Sequence, residues 1–198
     1  MSDLLERDVL VINQKAKLIE LTNEYKILDE AGNQVGVIRE EGQSAAKKLL
    51  RFVSNLDQFM THRLGVYDAS GAKVLEMLRP RKIMKSTVQI TDGGGGEAGR
   101  IVQQNVFGKK RFGLEGAGGQ VLGSINAENW RAWDYSIQDP AGAEVGRITK
   151  KWAGILKEGF TTADNYVFQV TGSVSPELRL LMLASAAGVD LALKQDEA

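Results

Sequence analysis

The chain returns five times to one short turn, and this repeat constrains the fold more than any other feature. Asp29-Glu30-Ala31-Gly32 is followed by Gly36, and the same Asp-x-x-Gly-x-x-x-Gly pattern recurs at Asp92/Gly95/Gly99 and Asp139/Gly142/Gly146. One partial copy keeps Asp68 and Gly71 with Leu75 in the last place, and another keeps Gly119 and Gly123 with Gly116 in place of Asp. Asp folds its carboxylate onto the amides that follow, and Gly accepts the positive φ that closes a short hairpin. Each copy therefore predicts a strand, a turn and a strand. The flanks agree, because Tyr25-Lys26-Ile27, Val88-Gln89-Ile90 and Tyr135-Ser136-Ile137 alternate apolar with polar residues as half-buried strands do. Turn centres step from 68 to 92 to 116 to 139, and only the gap from 29 to 68 is longer. With edge strands before residue 20 and near 166 to 171, the hairpins make about twelve strands, a number that invites closure into a barrel.

The C-terminal segment decides what fills such a barrel. Ser175 and Pro176 make a good helix start, Glu177 suits the positive end of the helix dipole, and Leu180 to Val189 carries no charge on any side. A helix apolar all round is enclosed by protein or by lipid. The uncharged stretch spans about 15 Å, half of a bilayer's roughly 30 Å hydrocarbon core, so protein is the better enclosure. Arg179 and Asp190 bracket it, and Asp190 is expected to hydrogen-bond to barrel backbone. The small residues Ala184, Ser185, Ala186, Ala187 and Gly188 let the sheet approach closely. A second helix, amphipathic and capped by Ser44, is expected over Ser44 to Leu56, where Ala45/Ala46, Leu49/Leu50, Val53 and Leu56 recur at helical spacing. The predicted fold is mainly β: a closed antiparallel barrel around a buried C-terminal hydrophobic helix, with one additional amphipathic helix, in a single domain over residues 1–198.

Charge and composition narrow the chemistry. Lys and Arg number 25 against 25 Asp and Glu, which argues against a bulk nucleic-acid binder, since phosphate neutralisation needs surplus cations. The absence of Cys removes disulfides, thiolate metal sites and Cys nucleophiles, and suits a reducing compartment. Asp3, Glu6, Arg7, Asp8, Lys15 and Lys17 leave no apolar signal segment, so a cytoplasmic address is expected. Gly94-Gly95-Gly96-Glu97-Ala98-Gly99 satisfies a dinucleotide fingerprint in letters, but Ile101-Val102 after it starts a strand and not a helix. Gly108-Lys109-Lys110 lacks the remaining residues of a P-loop. His62 is the single imidazole and reads as structural, no nucleophile-elbow pattern is present, and Glu40/Glu41 reads as solvated surface. No enzymatic activity and no cofactor are expected.

Basic clusters are more suggestive. Arg79, Arg81, Lys82 and Lys85 form one; Lys109, Lys110 and Arg111 a second; Arg147, Lys150, Lys151 and Lys157 a third. If a barrel brings them onto one rim, they attract anionic headgroups at about 1 kcal/mol per cation, whereas dispersed they serve solubility. Trp130, Trp133 and Trp152 are possible interfacial anchors, although Trp133 shares its strand face with Tyr135 and Ile137, which favours core packing.

The run from Gly146 to Tyr166, with Gly146-Arg147-Ile148-Thr149-Lys150-Lys151-Trp152 and Phe160-Thr161-Thr162-Ala163-Asp164-Asn165-Tyr166, followed by an apolar helix containing Val189-Asp190, resembles the C-terminal signature of phospholipid scramblases. The upstream hairpins and the region from Asn126 to Asp134 resemble the related LURP-one-like proteins. That resemblance implies the Tubby C-terminal fold, a barrel of twelve strands about a central hydrophobic helix, the shape already reached from the residues. It also implies an association with phospholipid, and ATP-independent lipid scrambling as the family activity. The Pro-rich tail and acylated Cys cluster of eukaryotic scramblases have no counterpart here, so membrane contact is expected to be peripheral. In the family's proposed calcium loop, acidic positions match Thr162, Asp164 and Ser173; Asp164, with Asn165 beside it, is what remains of a cation site that wants about six to eight oxygens. The stretch matching Gly146 to Trp152 is read in eukaryotic relatives as an import signal; here strand-end cations and a core Trp account for it. The leading expectation is peripheral binding of anionic phospholipid through Arg79, Arg81, Lys82, Lys85, Lys109, Lys110, Arg111, Lys150 and Lys151. A protein-interaction module and a small hydrophobic-ligand carrier are the alternatives.

Overall fold

A computed structural model describes residues 2–13, 24–41, 62–80, 87–105, 108–129, 134–150 and 165–193. Its strands are β1 (Val9–Asn13), β2 (Glu24–Leu28), β3 (Gln34–Glu40), β4 (His62–Asp68), β5 (Lys73–Arg79), β6 (Thr87–Asp92), β7 (Glu97–Gln103), β8 (Arg111–Gly116), β9 (Val121–Asn129), β10 (Asp134–Gln138), β11 (Glu144–Thr149) and β12 (Asn165–Val170). Each pairs antiparallel with the next, and β1 pairs with β12, so the meander closes into a barrel of twelve strands. One helix, α1 (Pro176–Leu193), follows β12. The segment expected to form the amphipathic helix, Ser44 to Leu56, lies outside the described residues.

Turn chemistry explains the hairpins. In all five tight turns the residue at the Asp position donates its N–H to the carbonyl four residues on and accepts from the Gly three residues on, as Asp29 does with Asn33 and Gly32. Those Gly residues, Gly32, Gly71, Gly95, Gly119 and Gly142, have φ between 80 and 86°. Every one of these hairpins then shifts register once at its mouth, at Ile27/Leu28, Val66/Tyr67, Ile90/Thr91, Leu114/Glu115 and Ile137/Gln138. A turn followed by a bulge whose Gly takes the left-handed conformation has this form, and it adds twist to the strands that must close the barrel.

The last Gly of the repeat has a different task. It lies on the inner face of the wall. A Cβ at Gly146 would stand 2.5 Å from Met182 Cε and 2.7 Å from the Gln169 carbonyl oxygen; one at Gly123 would stand 2.6 Å from the Gln138 oxygen and 3.3 Å from Leu178. These glycines give α1 clearance against the wall.

From Leu180 to Ala187 every residue of α1 is buried, which covers all sides of the cylinder. Leu75, Ile90, Leu114, Ile137 and Ile148 of the wall meet it in one continuous core. Ser175 Oγ accepts the N–H of Leu178 at 3.2 Å and caps the helix, and Pro176 occupies the first helical position, where no donor is lost. Within the buried stretch, Ser185 donates its hydroxyl to the Leu181 carbonyl at 2.7 Å, so its polar group is satisfied inside the helix. The side chain of Asp190 is outside those described. A single 3-10 turn (Asp3–Leu5) packs Leu4, 2% exposed, into the same core beside Gly36.

Candidate functional site

An antiparallel meander sorts its connections by parity. The tight turns after β2, β4, β6, β8 and β10 all lie at one end of the barrel, and α1 enters there after β12. The connections that follow β1, β3, β5, β7, β9 and β11 leave and return at the opposite end. Of the described basic residues, Lys109 and Lys110 fall on one of these latter connections, and Arg111 and Lys150 adjoin two of them.

Lys109 and Lys110 lie between β7 and β8, Arg111 opens β8, and Lys150 follows β11 directly. Lys109 and Arg111 are exposed, whereas Lys110 and Lys150 are half-buried. Lys150 Nζ sits 4.6 Å from the centroid of the Tyr166 ring, a cation–π distance that steadies its stem at the mouth of the barrel. Arg81, Lys82, Lys85 and Lys151 lie outside the described residues, as do Trp130, Trp133 and Trp152. The strand ends that flank residues 81–86, Arg79 and Thr87, belong to this same end.

The segment carrying Lys109 and Lys110 is fastened by a residue that the sequence reading did not single out. Asn105 Nδ2 donates to the Lys109 carbonyl at 2.6 Å, and Asn105 Oδ1 accepts the Arg111 N–H at 2.8 Å. Gln103 Nε2 donates to the Asn105 carbonyl at 2.9 Å, and the N–H of Ala127 donates to the Lys110 carbonyl at 3.0 Å. These bonds set the two Lys backbones against β8 and β9. An Asn in a loop carries this capacity in general, but its partners come from the strand spacing.

Arg79 departs from the expectation. It is 3% exposed and alternates with the inward residues Leu75 and Met77, so it faces the barrel interior and not a docking surface. Nearness in sequence to Arg81 and Lys82 grouped it with them; strand alternation separates it. Arg147 is likewise committed elsewhere, to Asp134 at 2.9 Å and Glu144 at 2.8 Å on the outer wall.

The tight-turn end is rich in carboxylates. Asp29, Asp68, Asp92 and Asp139 accept the amides of their own turns, for example Asn33 to Asp29 at 2.8 Å and Gly94 to Asp92 at 2.8 Å. A hydrogen bond from the Ser70 hydroxyl, supported by the Ala72 and Ser70 amides, holds the Asp68 carboxyl below the usual range. Burial pushes the Asp29 carboxyl up, but the Asn33 side chain and amide outweigh it and leave the group lowered. The cations nearby are matched: Arg7 pairs with Asp3 at 2.8 Å, and Arg179 with Asp8 at 2.6 Å.

The remaining candidates carry little chemistry. Gly94 to Gly99 closes the β6–β7 hairpin and opens a strand. Asp164 of the calcium-loop remnant lies outside the described residues; Asn165 begins β12 opposite Asn13 and is 5% exposed. Among the described residues no group of three His, Asp or Glu side chains could hold a metal ion. His62 opens β4 opposite Arg79, and its side chain is outside those described.

A family model described as Scramblase matches residues 1–193. The chain belongs to the scramblase family. It is 26% identical to a phospholipid scramblase family protein of Schizosaccharomyces pombe over 95% of this chain and 54% of that protein. It is 24% identical to altered inheritance rate of mitochondria protein 25 of Saccharomyces cerevisiae over 75% of this chain and 52% of that protein. This scramblase-family chain thus spans about half the length of the curated relatives it matches. No solved structure matches it. Among the described residues of this scramblase-family protein, no helix is long and apolar enough to cross a membrane.

Proposed function

We propose that this scramblase-family protein binds anionic phospholipid at the periphery of a membrane, on the cytoplasm-facing leaflet where such lipids concentrate. The observation that carries the reading is the convergence of Lys109, Lys110, Arg111 and Lys150 on one end of the barrel. Cations near an anionic surface each contribute about 1 kcal/mol, so a clustered set gives a useful affinity where a dispersed set would not. The outer wall supports peripheral contact. It carries the ion pairs Arg39–Glu24, Arg63–Glu76, Arg100–Glu115 and Arg147–Asp134, while the main core lines the inside and the separate apolar cluster of Val11, Leu28 and Val167 is itself buried, so among the described residues the wall shows no exposed apolar band of the kind a membrane-spanning barrel presents. Kinship with a phospholipid scramblase family protein supports the lipid as the ligand class. The reading involves no enzymatic step and no cofactor.

Vesicle flotation tests it. Recovery with phosphatidylserine-containing vesicles and not with phosphatidylcholine alone is expected, and equal recovery from the two overturns it. A dithionite assay on reconstituted vesicles separately reads whether lipids are scrambled.

A further inference from the structure

Residues 2–8 belong to no strand, yet they close the barrel. Followed back from β1, where the Val170 N–H still donates to the Asp8 carbonyl at 2.8 Å, the chain crosses the tight-turn end to the β4–β5 turn, where the Ser2 hydroxyl donates to Asp68 at 3.1 Å. Between these points the 3-10 turn drops Leu4 into the core beside α1. A Cβ at Gly36 would stand 2.9 Å from Leu4 Cδ1. The glycine that clears the wall for α1 at positions 123 and 146 here keeps a seat for Leu4 instead.

What fastens this segment is slight. Leu4 is buried and Leu5 half-buried; the other side chains from Ser2 to Asp8 are half-buried or exposed. The ion pairs that tie it to the barrel are open to water: Arg7 reaches Asp29 at 3.6 Å, and Asp8, 69% exposed, accepts from Arg179 at 2.6 Å. Burying one leucine shifts an equilibrium by roughly 10- to 150-fold, and an exposed ion pair by no more than about fivefold. Two features oppose closure. Asp3, Glu6 and Asp8 come to rest on an end that already carries Asp29, Glu30 and Asp68, and like charges repel. The Nε of Arg179 is buried with no hydrogen-bond partner among the described residues, a donor that water would satisfy once the segment lifts.

We infer that residues 2–8 are a releasable strap: closed, they seal the tight-turn mouth of the barrel over α1; open, hinged at the start of β1, they bare the apolar seat of Leu4 and the first turn of α1 while the barrel stays folded. Lifting the strap breaks the Val170–Asp8 bond and leaves the pairing of β1 with β12 and β2 in place. The open form is present at roughly one molecule in a hundred to one in a thousand, far more often than a domain of ordinary stability unfolds. The strap lies at the end opposite Lys109 and Lys150, so it stands apart from the lipid-binding reading.

The chain has no Cys, so an introduced thiol reports alone. Leu4→Cys places one in the seat, and Leu10→Cys, buried in β1, places one in the wall. Each variant is treated with iodoacetamide under folding conditions, and the thiol at position 4 is expected to react at least about 10-fold faster than the thiol at position 10. Because the exchange at position 4 itself trims the seat, amide hydrogen exchange is also followed on the unaltered chain. The amides of Leu5 and Val170, which donate to Ser2 and Asp8, are expected to exchange at rates nearly independent of low urea, since local opening exposes little surface; that of Leu114, inside the β8 ladder, rises with urea as global unfolding does. Equal reactivity of the two thiols, or exchange at Leu5 and Val170 that climbs with urea as steeply as at Leu114, overturns the strap.

Discussion

Ala184→Leu tests whether α1 is enclosed as the barrel requires. Ala184 is fully buried midway along the helix, between Leu183 at 1% and Ser185 at 3% exposure, with the wall on every side. Leucine adds three carbon atoms. On a helix facing solvent the exchange would be nearly neutral, because Ala and Leu have similar helix propensities. In a cavity large enough to receive it, the added surface would stabilise the protein by about 2 kcal/mol. In a filled interior there is no such room: the wall already closes on α1 so tightly that a Cβ at Gly146 would collide with Met182. Overpacking then costs about 1–3 kcal/mol. For a chain of this size the midpoint of thermal unfolding falls by roughly 2 to 12 °C. Urea denaturation followed by tryptophan fluorescence gives the free energy, and an unchanged slope shows that the unfolded state is not what moved. A midpoint equal to that of the parent protein would place the helix outside the barrel. A raised midpoint would reveal a void beside it, and would revive the hydrophobic-ligand carrier.

Lys109→Ala with Lys110→Ala removes two cations from the docking end, so vesicle affinity falls by about 2 kcal/mol, or roughly 30-fold, with the unfolding midpoint unmoved; undiminished binding would exclude this end as the contact. Arg79→Ala does the reverse: deleting a buried, inward-facing charge destabilises the fold, while the folded fraction retains its vesicle affinity. Burial pushes the Glu41 carboxyl up, but hydrogen bonds from Tyr67 and Lys73 outweigh it and hold the group below its ordinary 4.5. Its contribution to stability is therefore complete above pH 4.5 and is lost as pH falls through the lowered value, so the stability gap between the parent and Tyr67→Phe narrows below pH 4.5; a constant gap would refute the coupling. Isothermal titration with millimolar calcium is expected to show no heat, and a micromolar isotherm would restore the cation loop at Asp164 and Asn165.

Much of this fold is local in origin, and so was legible in the order of residues. A turn of Asp and Gly closes through hydrogen bonds within five residues, and the uncharged run from Leu180 to Val189 demands enclosure whatever surrounds it. From those two facts a closed wall around a helix follows, and the parity of the meander places Lys109, Lys110, Arg111 and Lys150 at one end. What remained hidden depends on neighbours distant along the chain. Whether Arg79 faces in or out is set by the register of β5 against β4 and β6, and a shift of one residue would reverse it. The second Gly of the repeat looks like part of a turn until Met182 and Leu178 arrive against Gly146 and Gly123. The cancellation of charge on the outer wall likewise exists only once Glu24 lies opposite Arg39 and Glu115 opposite Arg100. Composition counts charges, but an electric field depends on where they stand, and closing the barrel is what gathered Asp29, Asp68, Asp92 and Asp139 at one end and Lys109, Lys110, Arg111 and Lys150 at the other.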